Sequence, residues 1–224
     1  FQEYTVKNKL QNMVFVTATD GNHGKGVAWA ASLLGANSIV YMPKGSSSSR
    51  ETAIRQAGAS QVIITDWNYD ETVQYAAQQA AEHGWYLVQD TAWQGYTTVS
   101  NWITQGYTTM AVEAAEQLLL AGISQPSHVF LQAGVGSMAG SVLGYYSGRY
   151  FPQRPLTLIA EPATVPCIWQ SAAAQDGKTH PVLGEPSTIM AGLNCGQPNE
   201  ETWPILRDLA SAYAACPDWV AAHG

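Results

Sequence analysis

Charge is scarce in this sequence, and positive charge is the scarcer kind. Charged residues make up 12% of the 224 positions, and 10 Lys and Arg stand against 17 Asp and Glu, which gives a formal net charge of -7. Nowhere do the basic residues form a stripe, so nucleic acid is not an expected partner. The low charged fraction also suggests that part of the surface is buried against another subunit.

Cysteine pairs and long apolar runs are lacking as well. The three cysteines, Cys167, Cys195 and Cys216, show no C-x-x-C spacing, and the five histidines are isolated. These patterns argue against a disulfide framework and against a metal site, and a reducing compartment such as the cytoplasm is expected. Neither a membrane-spanning run nor a signal peptide is recognisable, so no membrane partner is expected.

What the chain does contain is a regular alternation of short apolar runs and alanine-rich or amphipathic segments. Helices are predicted between the strands of the first half and end at glycines such as Gly35 and Gly84. The predicted strands of this half are 13–16, 38–42, 61–65 and 85–88. Short connections between alternating strands and helices are typical of an α/β fold with a parallel sheet.

The second half is predicted to be less regular. Residues 91–106, rich in Trp, Tyr, Thr and Gln, are predicted to be an irregular polar-aromatic segment, and turn-rich pieces are expected after residue 162. The predicted helices here are 107–120, 137–146 and 202–214, and the predicted strands are 128–132 and 156–160.

The most unusual stretch is TATDGNHGKG at residues 17–26, which we call the Asn turn. It joins a predicted strand to a predicted helix, where free backbone N–H groups are available. Asp20, Asn22, His23 and Lys25 crowd into six residues. A connector needs glycine but not this density of polar side chains, so the Asn turn is a candidate binding site. His23 is expected to fix the turn, and Asp20 could also serve as a helix N-cap.

A second strand-to-helix turn, residues 134–140 (GVGSMAG), is called the glycine turn. Its glycines allow close backbone approach and its amides suit an anion such as a phosphate. Two alternatives stay open at this point. The turn could bind nothing, or it could bind a dinucleotide, because Gly134, Gly136 and Ala139 match G-x-G-x-x-G/A and Glu161 ends the next strand.

The two turns together resemble those of the tryptophan synthase β-like, or fold type II, pyridoxal phosphate (PLP) enzymes. Within that family the chain resembles the diaminopropionate ammonia-lyases. The resemblance covers nearly the whole chain and rests on residues 19–31 (TDGNHGKGVAWAA), 41–45 (YMPKG), 68–70 (NYD), 88–93 (VQDTAW), 132–140 (QAGVGSMAG) and 188–193 (TIMAGL).

The resemblance implies an architecture and a set of cofactor contacts. Two parallel-sheet, three-layer αβα domains are implied, a smaller one at residues 13–115 and a larger one formed by residues 1–12 and 116–224. Asn22 would contact the phenolate oxygen of PLP, and the glycine turn would hold its phosphate. The implied phosphate-binding residues are Gly134, Val135, Gly136, Ser137 and Met138.

The implied reaction is the α,β-elimination of 2,3-diaminopropionate to pyruvate and ammonia by a homodimer. Asp20, with Asp90, would act as a base on one face of the substrate or pair with its second ammonium. Asp90 could instead be an ordinary strand-end turn residue. A serine or threonine dehydratase is the alternative within the family, although such substrates have no second ammonium for Asp20 to hold.

One requirement of the family is not met inside the sequence. The lysine that anchors PLP lies upstream of the Asn turn in a Phe-Lys context, and the partner of the pyridine nitrogen comes from a late Ser-Gly segment. Lys7 and Lys9 are too close to the Asn turn and have the wrong context. Both missing pieces are therefore expected beyond the two ends, and the 224 residues alone are expected to be inactive as a lyase.

Overall fold

The computed structural model describes residues 9–19, 21–184 and 186–223. They form two compact units, which divide between Gln89 and Asp90. The domain boundary predicted between residues 115 and 116 falls inside a helix of the second unit. The assignment of residues 1–12 to a larger domain of the whole enzyme stays a prediction, and residues 1–8 lie outside the described part.

The first unit alternates strands and helices in the order expected from the sequence. Its elements are β1 (Val14–Ala18), α1 (Asn22–Leu34), β2 (Asn37–Met42), α2 (Ser48–Gln56), β3 (Gln61–Ile64), α3 (Tyr69–His83) and β4 (Tyr86–Leu87). Among the described residues, the strands form a four-stranded, all-parallel sheet in the order β3-β2-β1-β4. The α/β fold class is confirmed.

Helices cover both faces of this sheet. On one face Val16 and Tyr41 pack with Ala76 of α3, and on the other Val40 and Met42 belong to a cluster with helix residues of α1 and α2. Because both faces are covered at the centre of the sheet, β1 and β2 are largely apolar, as is typical of parallel strands. The result is the three-layer αβα arrangement that the resemblance implies.

Local signals set the helix ends in the first unit. The predicted C-cap Gly35 adopts the left-handed conformation (φ 71°), and its N–H donates to the carbonyl groups of Ala31 and Ser32. Ser47 caps α2 through its side chain, and Asn68 forms a capping box with Glu71 at the start of α3.

The second unit has its own parallel sheet. Its elements are α4 (Thr98–Leu120), β5 (His128–Gln132), α5 (Ser137–Arg149), β6 (Leu156–Pro162), α6 (Cys167–Ala174), the 3-10 turn Ala191–Leu193, α7 (Trp203–Leu209), β7 (Ala212–Cys216) and α8 (Asp218–His223). The described strands run in the order β5-β6-β7. Its core includes Leu131, Leu143, Ile159, Ile168 and Leu206.

The prediction that residues 91–106 are irregular is wrong over its second half, because α4 begins at Thr98. The first turns of α4 hold β-branched and polar residues, which weaken intrinsic helix propensity. Packing overrides that preference: Ser100 is buried, and the carbonyl of Thr104 accepts a hydrogen bond from the Ser141 hydroxyl of α5 at 2.6 Å.

The predicted helix over residues 202–214 is also wrong in its second half. The helix α7 ends at Leu209, and the alanine-rich segment that follows is the strand β7, which pairs with β6 from Ala212 to Cys216. Alanine and tyrosine here sit on a half-buried sheet, where burial outweighs local propensity. The sequence predicts only turns where α6 lies; this helix has a buried acceptor at its start, because the Glu161 carboxylate accepts the N–H groups of Ile168 and Trp169. No helix in the described ranges combines the length and apolarity needed to cross a membrane.

Candidate functional site

The Asn turn is held by the side chain of Thr19. The helix α1 has Gly21 at its N-cap position, and the Thr19 hydroxyl accepts hydrogen bonds from the N–H groups of Gly21 and Gly24 at 2.9 and 3.0 Å. Gly24 is packed so closely that a Cβ there would lie 2.2 Å from Thr19 Cγ2 and 2.9 Å from Val40 Cγ1. Thr19 is thus a structural determinant that the sequence pattern does not reveal.

His23 performs the structural role expected of it. Its Nε2 lies 2.8 Å from the carbonyl oxygen of Val88, which directly follows β4. This contact ties the Asn turn to the last strand of the first unit. Gln89 adds a second tie, because its Oε1 accepts the N–H of Ala18 at 3.0 Å and the hydroxyl of Thr17 at 3.1 Å.

With the backbone fixed in this way, Asn22 stands exposed at the first position of α1. Its side chain is available to a ligand at the end of β1, where ligands of open parallel sheets bind. Lys25 and Lys44 are exposed as well. Asp20, the predicted catalytic carboxylate, lies outside the described residues.

The glycine turn opens the helix α5 in the second unit. Gly136 adopts a left-handed conformation (φ 95°, ψ -3°) and is the N-cap, and Ser137 begins the helix. The first N–H groups of a helix have no partner within it, and a left-handed residue followed by helical ones aims successive N–H groups into one concavity. The positive end of the helix dipole adds attraction for an anion.

The glycines of this turn are required by close packing. A Cβ at Gly136 would lie 2.8 Å from Leu206 Cδ1, and one at Gly140 would lie 2.7 Å from Thr202 Cβ. At Gly134 it would lie 3.3 Å from both Cys195 Sγ and the Cα of Leu193. This tightly backed turn, with amides at its open end, fits a phosphate group such as that of PLP.

The hydroxyl of Ser137 is used inside the protein. It donates to the backbone carbonyl of Asp90 at 2.6 Å and lies 2.6 Å from Nδ2 of Asn199. We therefore expect its contact with a phosphate to come from its backbone N–H. Val135 is buried and Met138 is half-buried, and Asn199 is not singled out by the sequence analysis.

Asp90, the second predicted carboxylate, begins the second unit. Its backbone carbonyl accepts hydrogen bonds from Ser100, Ser137 and Asn199. Burial, and then repulsion from the Asp90 carboxylate, raises the pKa of Tyr107 to about 12. The structure thus brings Asp90 together with the glycine turn, within one unit.

Glu161, the acidic residue of the dinucleotide alternative, has another use. It is 1% exposed, and its carboxylate accepts the N–H groups of Ile168 at 2.8 Å and Trp169 at 2.6 Å, at the start of α6. Burial raises its pKa to about 7, and these hydrogen bonds oppose the shift. A buried carboxylate committed to a helix N-terminus does not bind a ribose, so the dinucleotide alternative is wrong.

Comparison with known proteins agrees with this geometry. A family model described as "Pyridoxal-phosphate dependent enzyme" matches residues 2–223. The chain belongs to this family. PLP is the cofactor of this family.

Particular members of the family match over almost the whole chain. Diaminopropionate ammonia-lyases of Salmonella typhimurium and Escherichia coli K12 are each 52% identical to it, over 219 and 220 residues, which are 98% of this chain and 54% of each relative. The chain thus spans about half the length of these relatives.

Solved structures give the same result. The E. coli diaminopropionate ammonia lyase in complex with an aminoacrylate-PLP azomethine reaction intermediate superposes with a TM-score of 0.88 at 51% identity, covering 95% of this chain and 53% of that one. A serine racemase of maize has a TM-score of 0.78 at 23% identity, covering 96% of this chain and 60% of that one, which shows a shared fold. Within the described ranges, no group of three or more His, Cys, Asp and Glu residues could hold a metal ion.

Proposed function

We propose that the protein carrying this chain is a PLP-dependent ammonia-lyase that converts 2,3-diaminopropionate to pyruvate and two molecules of ammonia. The observation that carries the proposal is the glycine turn, whose helix-start amides suit a phosphate and whose sequence lies within a 52% identical match to diaminopropionate ammonia-lyases. A homodimer in the cytoplasm is part of the same proposal.

The two turns divide the binding of the cofactor. The backbone amides of Gly136, Ser137 and Met138 would hold the phosphate, and Gly134 and Val135 would shape the approach to it. Asn22 would donate a hydrogen bond from its side-chain amide to the phenolate oxygen of the ring. When bound, PLP supplies the electron sink that stabilises negative charge at the substrate Cα.

The carboxylates serve the substrate. Asp20 accepts the proton from Cα on one face or pairs with the second ammonium of the substrate, and Asp90 supports it. Elimination then releases ammonia from Cβ, and hydrolysis of the enamine product gives pyruvate and the second ammonia. The anchoring lysine is expected in the part of the protein that precedes this chain.

The decisive experiment measures pyruvate release from L- and D-diaminopropionate and from L-serine by the protein in its natural length. Visible absorbance of bound PLP and faster turnover of diaminopropionate are expected. Faster turnover of serine would favour a dehydratase instead, a candidate supported by an L-threonine ammonia-lyase of Geobacter sulfurreducens that is 42% identical over 69 residues. Absence of PLP binding would refute both.

Substitution of Asp20 by Asn tests the role of this carboxylate. If Asp20 is the base on one face of the substrate, the variant loses far more activity on the D isomer than on the L isomer. If it holds the second ammonium, both isomers lose activity equally. Retention of full activity on both would show that Asp20 has neither role.

A further inference from the structure

Asn199 lies at the centre of a buried polar cluster in the second unit. It is 0% exposed, and its Nδ2 has three acceptors: the Ser137 hydroxyl at 2.6 Å, the Asp90 carbonyl at 3.1 Å and the Ser100 hydroxyl at 3.3 Å. We call these four residues the Asn199 cluster. Since an amide nitrogen carries two hydrogens, both of them are engaged.

The backbone of Asn199 is bonded as thoroughly as its side chain. Its N–H donates to the carbonyl of Val135, in the glycine turn, at 2.7 Å. Its Oδ1 accepts the N–H of Glu201, and its carbonyl accepts the N–H of Trp203 in α7. Asn199 therefore fixes the glycine turn by two separate bonds, one to the backbone of Val135 and one to the side chain of Ser137.

The same amide group determines where Asp90 lies. The Asp90 carbonyl accepts from Asn199 and from the Ser137 hydroxyl, and that hydroxyl is itself held by Asn199. The start of α5 and the backbone of Asp90, whose carboxylate is predicted to serve the substrate, thus share one hydrogen-bond donor, the side-chain amide of Asn199.

We infer that Asn199 is a positioning residue that holds the phosphate-binding amides of the glycine turn and the backbone of Asp90 in a common arrangement. The inference rests on the proposed function. Asn199 acts through Ser137 and Val135 and does not itself contact the cofactor. Loss of its side chain leaves the Asp90 carbonyl and two buried hydroxyls with one partner fewer, and such groups are expensive to leave unpaired.

The test compares PLP with pyridoxal, which has the same ring but no phosphate. In the natural-length apo protein, Asn199→Ala is expected to weaken PLP binding roughly tenfold or more while leaving the Kd for pyridoxal unchanged. Ser137→Ala, which keeps every backbone amide of the glycine turn, is expected to shift the ratio of the two Kd values in the same direction. This second variant decides the question if Asn199→Ala does not fold.

A matched control separates positioning from general destabilisation. Thr157 is 1% exposed at the start of β6, the opposite end of the strand from the glycine turn, and its hydroxyl lies 3.5 Å from the Pro155 carbonyl. Thr157→Val should lower the melting temperature without changing either Kd.

The possible outcomes are distinct. Equal weakening of PLP and pyridoxal binding, or no weakening of either, would overturn the inference and leave the proposed function standing. Failure of the unmodified protein to bind PLP would overturn the proposed function and the inference together.

Discussion

The Asn turn and the glycine turn have the same place in the chain's architecture, between a parallel strand and the helix that follows it, yet they are built in different ways. In the Asn turn a side chain, Thr19, caps the backbone, and the residue at the helix start, Asn22, is exposed. In the glycine turn the side chains of Val135 and Ser137 are buried, and the backbone is left to face a ligand.

The difference follows from what each turn is proposed to bind. A ring oxygen and a substrate ammonium need directed polar side chains, which must project from a fixed backbone. A phosphate needs several N–H groups at once, which only a closely approaching backbone supplies. Substitutions that add a side chain should therefore lower stability most in the glycine turn. Removal of the Thr19 hydroxyl should show how far the stability of the Asn turn depends on it.

The largest effect is expected for Gly136→Ala. The left-handed φ of 95° and a Cβ only 2.8 Å from Leu206 Cδ1 should together lower the free energy of unfolding by about 2–5 kcal/mol. PLP affinity should fall as well, because the amides of the turn shift. Chemical denaturation and PLP titration measure the two effects.

Gly122→Ala is the matched control for that variant. Gly122 has φ 80° but no atom within 4 Å of an added Cβ. Its free energy of unfolding should therefore fall by about 1 kcal/mol, from the left-handed backbone conformation alone, and its PLP binding should be unchanged. Equal losses in the two variants would show that packing against Leu206 is unimportant.

The next effect is a dependence of stability on pH that comes from Glu161. Burial raises its pKa from 4.5 to about 7 in the folded protein, so between these values the folded state binds more protons than the unfolded state. Its contribution to stability is therefore complete below about pH 4.5 and is lost as the pH rises through 7. The loss approaches about 1.4 kcal/mol per pH unit within this window.

Glu161→Gln isolates this contribution, because glutamine does not titrate. The difference in unfolding free energy between the unmodified protein and the variant should shrink from about pH 5 to about pH 8 by roughly 3 kcal/mol. Measurements at several pH values on both proteins cancel the other titrating groups. A difference independent of pH would show that Glu161 is ionised throughout.

A smaller loss in the free energy of unfolding, of about 1–3 kcal/mol, is expected for Gly24→Ala in the Asn turn. The added Cβ would meet Thr19 Cγ2 at 2.2 Å and Val40 Cγ1 at 2.9 Å. Combining it with Thr19→Ser, which removes the first methyl group and keeps the hydroxyl, should restore part of the loss in thermal unfolding. Additive losses in the double variant would argue that the backbone, rather than this methyl contact, limits the turn.

The smallest loss in the free energy of unfolding, about 1 kcal/mol, is expected for Thr19→Val. Valine keeps the shape of threonine but removes the oxygen that accepts the N–H groups of Gly21 and Gly24. Thermal unfolding should show the loss, and Thr19→Ser should be closer to the unmodified protein. A valine variant as stable as the unmodified protein would mean that the start of α1 does not depend on this acceptor.

Sequence patterns predict the part of this fold that depends on local signals. Strand β5 lies at residues 128–132, where the apolar run predicts it, and Gly35 is the cap that its position indicates. Strand β7 and the first turns of α4 escape prediction, because alanine and polar residues occur there in states that only packing favours. The family resemblance, which rests on contiguous motifs, is confirmed.

In the candidate site, too, local motifs can be predicted from the sequence and long-range contacts cannot. The glycine turn and Asn22 are visible as motifs, whereas Asn199 lies 62 residues from Ser137 in sequence and has no motif of its own. The position of Glu161 at a strand end matches a ribose-binding acid, and only the hydrogen bonds that it accepts from the N–H groups of Ile168 and Trp169 show that it caps α6. Long-range hydrogen bonds of this kind leave no periodic trace in a sequence.

Strand β4 is only two residues long, and the side chain of Gln89 extends it. Its Oε1 takes the N–H of Ala18, as the carbonyl of a longer neighbouring strand would, and its amide nitrogen donates to the hydroxyl of Tyr69. The main chain can therefore leave the sheet right after residue 89 while the N–H of Ala18 in β1 keeps a hydrogen-bond acceptor. The Gln89 side chain thus takes the place of further strand residues at this edge of the sheet, and the backbone from residue 90 onwards belongs to the second unit.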